Sequence, residues 1–271
     1  MSARTLIENL SLERLEVNLF RGLTPGGEGR RRIYGGQVIA QALLAAYETV
    51  EERLCHSLHC YFMRPGDPSI PIVFEVDRAR DGGSFTTRRV IAVQKGKQIF
   101  NLAASFQAVE EGFEHQRPMP PAPGWEGAPL DSDSDDPDAE PLEIRRVDPR
   151  SGQGDPPAEP RQQVWMRARE PLPADQRLHQ VVLAYASDMT LLGTSLRPHG
   201  VHWSELQSAS LDHAMWFHRP IDANAWHLFD QESPSASGGR GMNFGYLYEP
   251  SGALVATCAQ EGLMRRLKPR T

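Results

Sequence analysis

The chain has 271 residues, and 29 Lys and Arg against 35 Asp and Glu give it a formal net charge of −6. That length allows two ordinary domains or one large one, and the acidic balance excludes nucleic acid as an expected partner. No run of about 18 apolar residues is present to cross a bilayer, and the three cysteines, Cys55, Cys60 and Cys258, lack the spacing of a disulfide framework or a metal site. The opening "MSARTLIENLSLERLEV" mixes charges into its apolar positions as a surface helix does, unlike a signal peptide, so a cytoplasmic protein is expected. The closing "LKPRT" is not the Ser-Lys-Leu type of peroxisomal address.

In chain order, "LEVNLFRG" alternates as a short strand, and "YGGQVIAQALLAAYETV" carries Val38, Ile39, Ala42, Leu43 and Ala46 at helical spacing. "CHSLHCYFMRPG", "PIVFEVDRAR", "FTTRRVIAVQ" and "KQIFNLAASFQ" follow as strands, the last two joined at Lys95-Gly96, a pair suited to a hairpin turn. Between Glu110 and Gln163 the composition shifts to proline, serine and acidic residues. Such a stretch buries little apolar surface and reads as a connector that is partly extended, either packed on the surface or mobile. Beyond it the first order repeats: "QVWMRARE", a helix around "VVLAYASDMTLLG", then "SLDHAMWFHRP", "WHLFDQESPSAS", "GMNFGYLYE" and "ALVATCAQEGLMR". Local echoes accompany the repeat, with "YFMRP" over "WFHRP" and "GKQIFNLAAS" over "GALVATCAQE", which sets Ala104 opposite Gln260. Two α+β units are implied, each a sheet wrapped on one long helix: residues 1–112, then a linker over 113–162, then residues 163–271.

In the second helix Leu178, Val181, Val182, Tyr185, Met189 and Leu192 share a face, and Asp188 interrupts that stripe seven residues after Val181. A carboxylate on a packed face needs hydrogen-bond partners, whether it serves structure or chemistry. Ser210 and Gln260 are polar residues among small or apolar neighbours on the strands that should pack there. Ser210, Asp212 and His213 also supply the residue types of a hydrolase triad. Strand alternation, however, sends His213 to the face opposite Ser210 and Asp212, and no G-x-S-x-G turn exposes a serine. His56 and His59 lie on a half-buried strand, and His56 is the better placed of the two to touch a substrate.

The strings "YGGQVIAQAL", "HSLHCYFMRPGD", "RDGGSFTTRRV", "ASFQ", "AYASDMTLL", "SLDHAMWFHRP" and "AQEGLMR", in this order across both halves, resemble the type II, TesB-like acyl-CoA thioesterases. The resemblance implies a tandem (double) hotdog fold of the α+β class that hydrolyses fatty acyl-CoA to free CoA and a fatty acid, with no metal and no organic cofactor. It also implies a homo-oligomer, a dimer or a tetramer. By motif it places a catalytic trio on Asp188, Ser210 and Gln260, Ser standing where some members carry Thr. In the first half Gly35-Gly36-Gln37 is taken as the counterpart of Ser187-Asp188, and Ala104 faces Gln260, so one complete site per chain is expected. Gly35 and Gly36 would let backbone approach the ligand, and Arg88 or Arg89 would meet CoA phosphates. An enoyl-CoA hydratase on the same fold would need a His five residues after the Asp, where Gly193 stands. A non-catalytic acyl-CoA-binding module would be expected to lack the trio.

Overall fold

The computed structural model describes residues 6–23, 32–131, 141–149 and 151–267; the tail from residue 268, with most of the "LKPRT" string, lies outside them. The first half comprises α1 (Leu6–Leu10), β1 (Leu12–Glu16), β2 (Leu19–Gly22), α2 (Gly35–Tyr47), β3 (Leu54–Phe62), β4 (Ile72–Asp81), β5 (Phe85–Gln94) and β6 (Lys97–Gln107). The second comprises β7 (Leu142–Arg146), β8 (Arg161–Ala168), α3 (Gln176–Ser187), α4 (Leu191–Thr194), β9 (Leu206–Ser210), β10 (Asp212–Phe217), β11 (His227–Ser237), β12 (Arg240–Tyr248) and β13 (Leu254–Arg266). All strands join one antiparallel sheet, ordered β1-β2-β4-β5-β6-β3-β10-β13-β12-β11-β8-β7, with β9 also on β13. From the β3–β10 seam outward the order is the same in both directions. In each half the strand at the seam pairs with the last strand, which pairs with the one before it.

Helix α2 is almost wholly buried and packs on β4, β5 and β6, while α3 lies along α2 and against β3. Small residues make the close approach possible: Ala42, Ala45 and Ala46 on α2, Ala184 and Ala186 on α3. The helices run antiparallel. A Cβ on Gly36 would sit 2.3 Å from the Tyr185 carbonyl oxygen at one end, and at the other the Tyr47 hydroxyl meets the Gln180 side chain. One apolar cluster runs through both halves.

Three sequence expectations are corrected here. The stripe from Val181 to Gly193 is not one helix. It stops at Ser187, Asp188 is its C-cap, and Thr190 adopts a left-handed φ of 69° before α4 begins. Left-handed backbone is costly for a branched residue, and buried amides hold it: Gln162 donates to the Thr190 carbonyl at 2.9 Å and Gln231 to its hydroxyl at 2.6 Å. The run "LEVNLFRG" belongs to a hairpin of two strands, Leu12 pairing with Gly22. The connector over 113–162 contributes β7 and the first residues of β8. Its Met119, Ala122, Trp125 and Ala128 pack with Trp165, Trp226, Leu228, Tyr248 and Leu254. Trp165 donates its indole N–H to the Pro123 carbonyl at 2.8 Å. Tryptophan burial thus anchors a segment whose composition alone reads as solvated. Residues 132–140 and 150 of that connector lie outside the described residues.

The Lys95-Gly96 turn is as expected, both residues taking positive φ (50° and 69°) between β5 and β6. No helix among the described residues is long and apolar enough to cross a membrane.

At the start of β11 the buried His227 donates Nδ1–H to the Ala225 carbonyl (2.9 Å), and its Nε2 has no partner among the described residues. Burial pushes its pKa from 6.5 down to about 4. The unfolded chain therefore binds the extra proton first, so stability is complete above pH 6.5 and falls as pH drops toward 4. Urea unfolding should show a loss of about 3 kcal/mol from this group across that window. His227→Phe should remove that share of the slope; an unchanged slope would assign the acid sensitivity elsewhere.

Candidate active site

At the end of α3, Asp188 presents Oδ1 to two donors, the Ser210 hydroxyl at 3.1 Å and the Gln260 amide Nε2 at 3.0 Å. Gln260 uses its second N–H on Ser210 Oγ at 2.6 Å, closing a triangle. The three residues come from α3, the end of β9 and the middle of β13. Gln260 is fully buried, and Asp188 and Ser210 are half-buried. Oδ2 points away from the triangle toward the first turn of α2, where a Cβ on Gly35 would lie 2.7 Å from it. A side chain there would press on the carboxylate and on the Phe62 ring, so glycine leaves the carboxylate its place.

A β-bulge brings Ser210 to this spot and overturns the alternation argument. Ser210 pairs with Gly262, whereas Ala214 pairs with Ala259, so His213 falls opposite Gln260. Two steps along β13 are thus matched by three on its partner. The extra residue lies at Leu211 and Asp212, where Leu211 N–H bonds the Glu261 carbonyl (2.9 Å) and Asp212 Oδ1 accepts from the Glu261 amide (2.8 Å). Bulges re-aim side chains in this way. Ser210 and His213 therefore share one face, and both touch the Gln260 side chain. They still form no hydrolase triad, because the Ser210 hydroxyl donates to Asp188 and the imidazole meets Gln260 and Ser187. His213 and Ser187 were not expected at the site. The signal for His213 was the strand pairing itself, which alternation misses by one residue.

The trio opens on a cavity of about 650 Å³. Ile33, Val38, Phe62, Ile99, Phe100 and Leu192 supply apolar walls, and Asp188 and Ser210 lie on its lining. Two cations also line it, Arg32 and Arg64, both exposed. Each spends one guanidinium N–H on a backbone carbonyl, Ser208 (2.9 Å) and Gln98 (2.6 Å) respectively. Neither arginine was singled out in the sequence, where "RRRIYGG" and "YFMRPG" carried them unremarked.

Gly35 lies beside Asp188 and Gly36 beside the Tyr185 carbonyl, but neither is the counterpart of Asp188. Because α2 and α3 are antiparallel, the start of α2 meets the end of α3, and the residue equivalent to Asp188 by helix position is the C-cap Glu48. Glu48 pairs with Arg14 at the surface (3.0 Å). His56 is elsewhere: on the outer sheet face it bonds Ser105 Oγ (2.8 Å) and stacks edge-on against Phe85. His59 is exposed and meets the Trp216 ring. Arg88 is buried and faces α2. Its five N–H groups go to Thr49 Oγ1, the carbonyls of Thr49, Arg80 and Thr87, and Asp81, leaving no donor for a phosphate. Arg89 is exposed beside Asp77.

A family model described as "Acyl-CoA thioesterase" matches residues 137–263, and one described as "Acyl-CoA thioesterase N-terminal domain" matches residues 24–107. The chain is 42% identical to acyl-coenzyme A thioesterase 8 of Mus musculus, over 96% of this chain and 88% of that protein. Among solved structures, acyl-CoA thioesterase II TesB2 from Mycobacterium marinum is 45% identical, with a TM-score of 0.84 over 97% of this chain and 99% of that one. A conserved protein with a hot dog fold from Alicyclobacillus acidocaldarius, 20% identical, superposes with a TM-score of 0.81 over 97% and 98% of the two chains. At that identity the likeness concerns fold alone, and the fold is of the hotdog type.

The bonding of Arg88 makes it a support for the C-terminal end of α2. Arg88→Ala leaves the Thr49 carbonyl unmet and a void behind it, and should lower unfolding free energy by about 2–4 kcal/mol. KM for substrate should stay unchanged; a raised KM with parental stability would return Arg88 to the binding site.

Proposed function

The chain belongs to the type II, TesB-like acyl-CoA thioesterases and is a thioester hydrolase, and on that premise we propose that Asp188 is the general base that activates water, with Ser210 and Gln260 positioning that water through the carboxylate they hold. The observation that carries this reading is the asymmetry of the Asp188 carboxylate on the cavity lining: Oδ1 is held by two neutral donors while Oδ2 lies at the first turn of α2. A thioester needs no acyl-enzyme, since sulfur conjugates poorly with the carbonyl and thiolate departs readily. Water bonded to Oδ2 gives up its proton as its oxygen attacks the thioester carbon. The tetrahedral oxyanion then collapses, the C–S bond breaks and CoA leaves as thiolate, to be reprotonated by Asp188 or solvent. The backbone N–H groups of the first turn of α2 lack intrahelical partners and carry the positive end of the helix dipole. Beside Asp188 they are the donors best placed for the oxyanion.

The substrate is a fatty acyl-CoA. Apolar walls suit an acyl chain, and Arg32 and Arg64 suit the phosphates of CoA. Gly193 stands five residues beyond Asp188, so no histidine follows it there to complete a hydratase pair. The mirrored strand order supports a tandem hotdog pair, residues 1–112 and 163–271, joined by 113–162. A cytoplasmic homo-oligomer completes the reading, its location resting on the charged pattern of the opening residues and its assembly on the family resemblance.

Thiol release from acyl-CoAs of graded chain length tests it. Asp188→Asn should cut kcat by about 10²–10⁴-fold. Ser210→Ala and Gln260→Ala should each cut it by about 10–100-fold, and Arg64→Ala should raise KM instead. Parental rates in the three trio variants would overturn the site, and hydration of crotonyl-CoA without thiol release would overturn the reaction.

A further inference from the structure

We infer that His213 and Ser187 are positioning residues for this reaction: they fix the amide of Gln260 so that its NH₂ faces Asp188 and Ser210 and its carbonyl faces the core. The inference rests on the proposed role of Gln260. A carboxylate only accepts, so the end of Gln260 that touches Asp188 Oδ1 must be Nε2. Its Oε1 then points to His213 Nδ1 at 2.9 Å, and since Oε1 also only accepts, Nδ1 carries the imidazole proton. Nε2 of the ring lies 2.9 Å from Ser187 Oγ, the last residue of α3 and the one before Asp188.

His213 is fully buried, and burial lowers its pKa, against the pull of nearby Asp188. The ring is therefore neutral, with Nδ1 as donor and Nε2 as acceptor. The Ser187 hydroxyl, 2.9 Å from both Nε2 and the Ala184 carbonyl, can supply the complementary proton. Were the amide reversed, Oε1 would confront Oδ1 of Asp188 and NH₂ would confront the proton on Nδ1. The imidazole thus makes one orientation of a symmetric-looking side chain the favoured one. The chain Ser187–His213–Gln260–Asp188 begins and ends on adjacent residues.

The other half of the molecule gives a second, independent observation. Leu58 pairs with Ala104 across β3 and β6, at the positions that His213 and Gln260 occupy across β10 and β13. Both members of the polar pair are replaced by apolar residues in the half where the helix-position equivalent of Asp188, Glu48, pairs with Arg14 at the surface instead. An imidazole wanted only as core filling would not have to vanish with its glutamine.

The experiment is a double-mutant cycle on the full chain, with His213→Leu and Gln260→Ala. Their combination recreates the Leu58 and Ala104 pair that this protein already folds around. His213→Leu should reduce kcat about 10–100-fold with KM little changed, and in the Gln260→Ala background it should cost nothing further. His213→Asn, whose side-chain amide N–H takes the place of Nδ1–H, should recover most of the loss, while thermal unfolding of each variant checks that folded protein is compared. Parental kcat in His213→Leu, losses that multiply in the double variant, or a His213→Asn as slow as His213→Leu would each overturn the inference. If instead Gln260→Ala itself turns over at the parental rate, it is the proposed role of Gln260 that fails.

Discussion

A carboxylate can serve as a base at a fixed point only if one of its oxygens is tied down and the other is left for the proton. Around Asp188 that division is made by two neutral donors on Oδ1 and by a helix start on the side of Oδ2. Neutral donors suit the proposed role, since a cation bonded to the carboxylate would stabilise its charge and weaken it as a base. Placing the residue at a helix C-cap serves the same end. The chain turns away immediately after it, and the break at Thr190 is held by buried Gln162 and Gln231.

Meeting that constraint has shaped distant parts of the fold. The β-bulge at Leu211 and Asp212 rotates Ser210 onto the face of Gln260 and His213, and without it the hydroxyl would leave the triangle. The antiparallel contact of α2 and α3 delivers the start of one helix to the end of the other. Gly35 and Gly36 are needed because Asp188 and the Tyr185 carbonyl occupy the space a side chain would take. At the opposite end of the same pair, Tyr47, Gln180 and Cys55 form a buried network: Gln180 donates to the Cys55 carbonyl (2.9 Å) and Cys55 N–H bonds the Tyr47 hydroxyl (2.8 Å). Where one end of the helix pair meets a cavity, the other is plugged by a tyrosine.

Regular elements were the legible part of the sequence. Strands β5 and β6 and the Lys95-Gly96 turn stood out because alternation and turn chemistry agreed, and the trio was legible through motif and resemblance, not through periodicity. Errors arose where periodicity was extended across an irregularity. Helical spacing continues through Thr190 and alternation through the bulge, where the backbone does not, and the order of the helices carries no information on their direction, so Gly35 and Gly36 look like counterparts of Asp188. Arg88 is hidden from sequence reading for another reason. Its partners Thr49, Arg80 and Asp81 converge only in three dimensions, and nothing local in "TTRRV" marks an arginine whose five donors are all used. The proline-rich connector was read by composition, which weighs a few well-placed tryptophan contacts too lightly.

Rapid-quench mass spectrometry of a single turnover in ¹⁸O water tests most directly whether Asp188 activates water. Direct attack places one ¹⁸O in the released fatty acid and leaves the protein at its unmodified mass at every time point. A transient protein species heavier by the acyl group, mapped to the peptide that contains Asp188, or ¹⁸O retained in that carboxylate, would make Asp188 a nucleophile and contradict the proposed role.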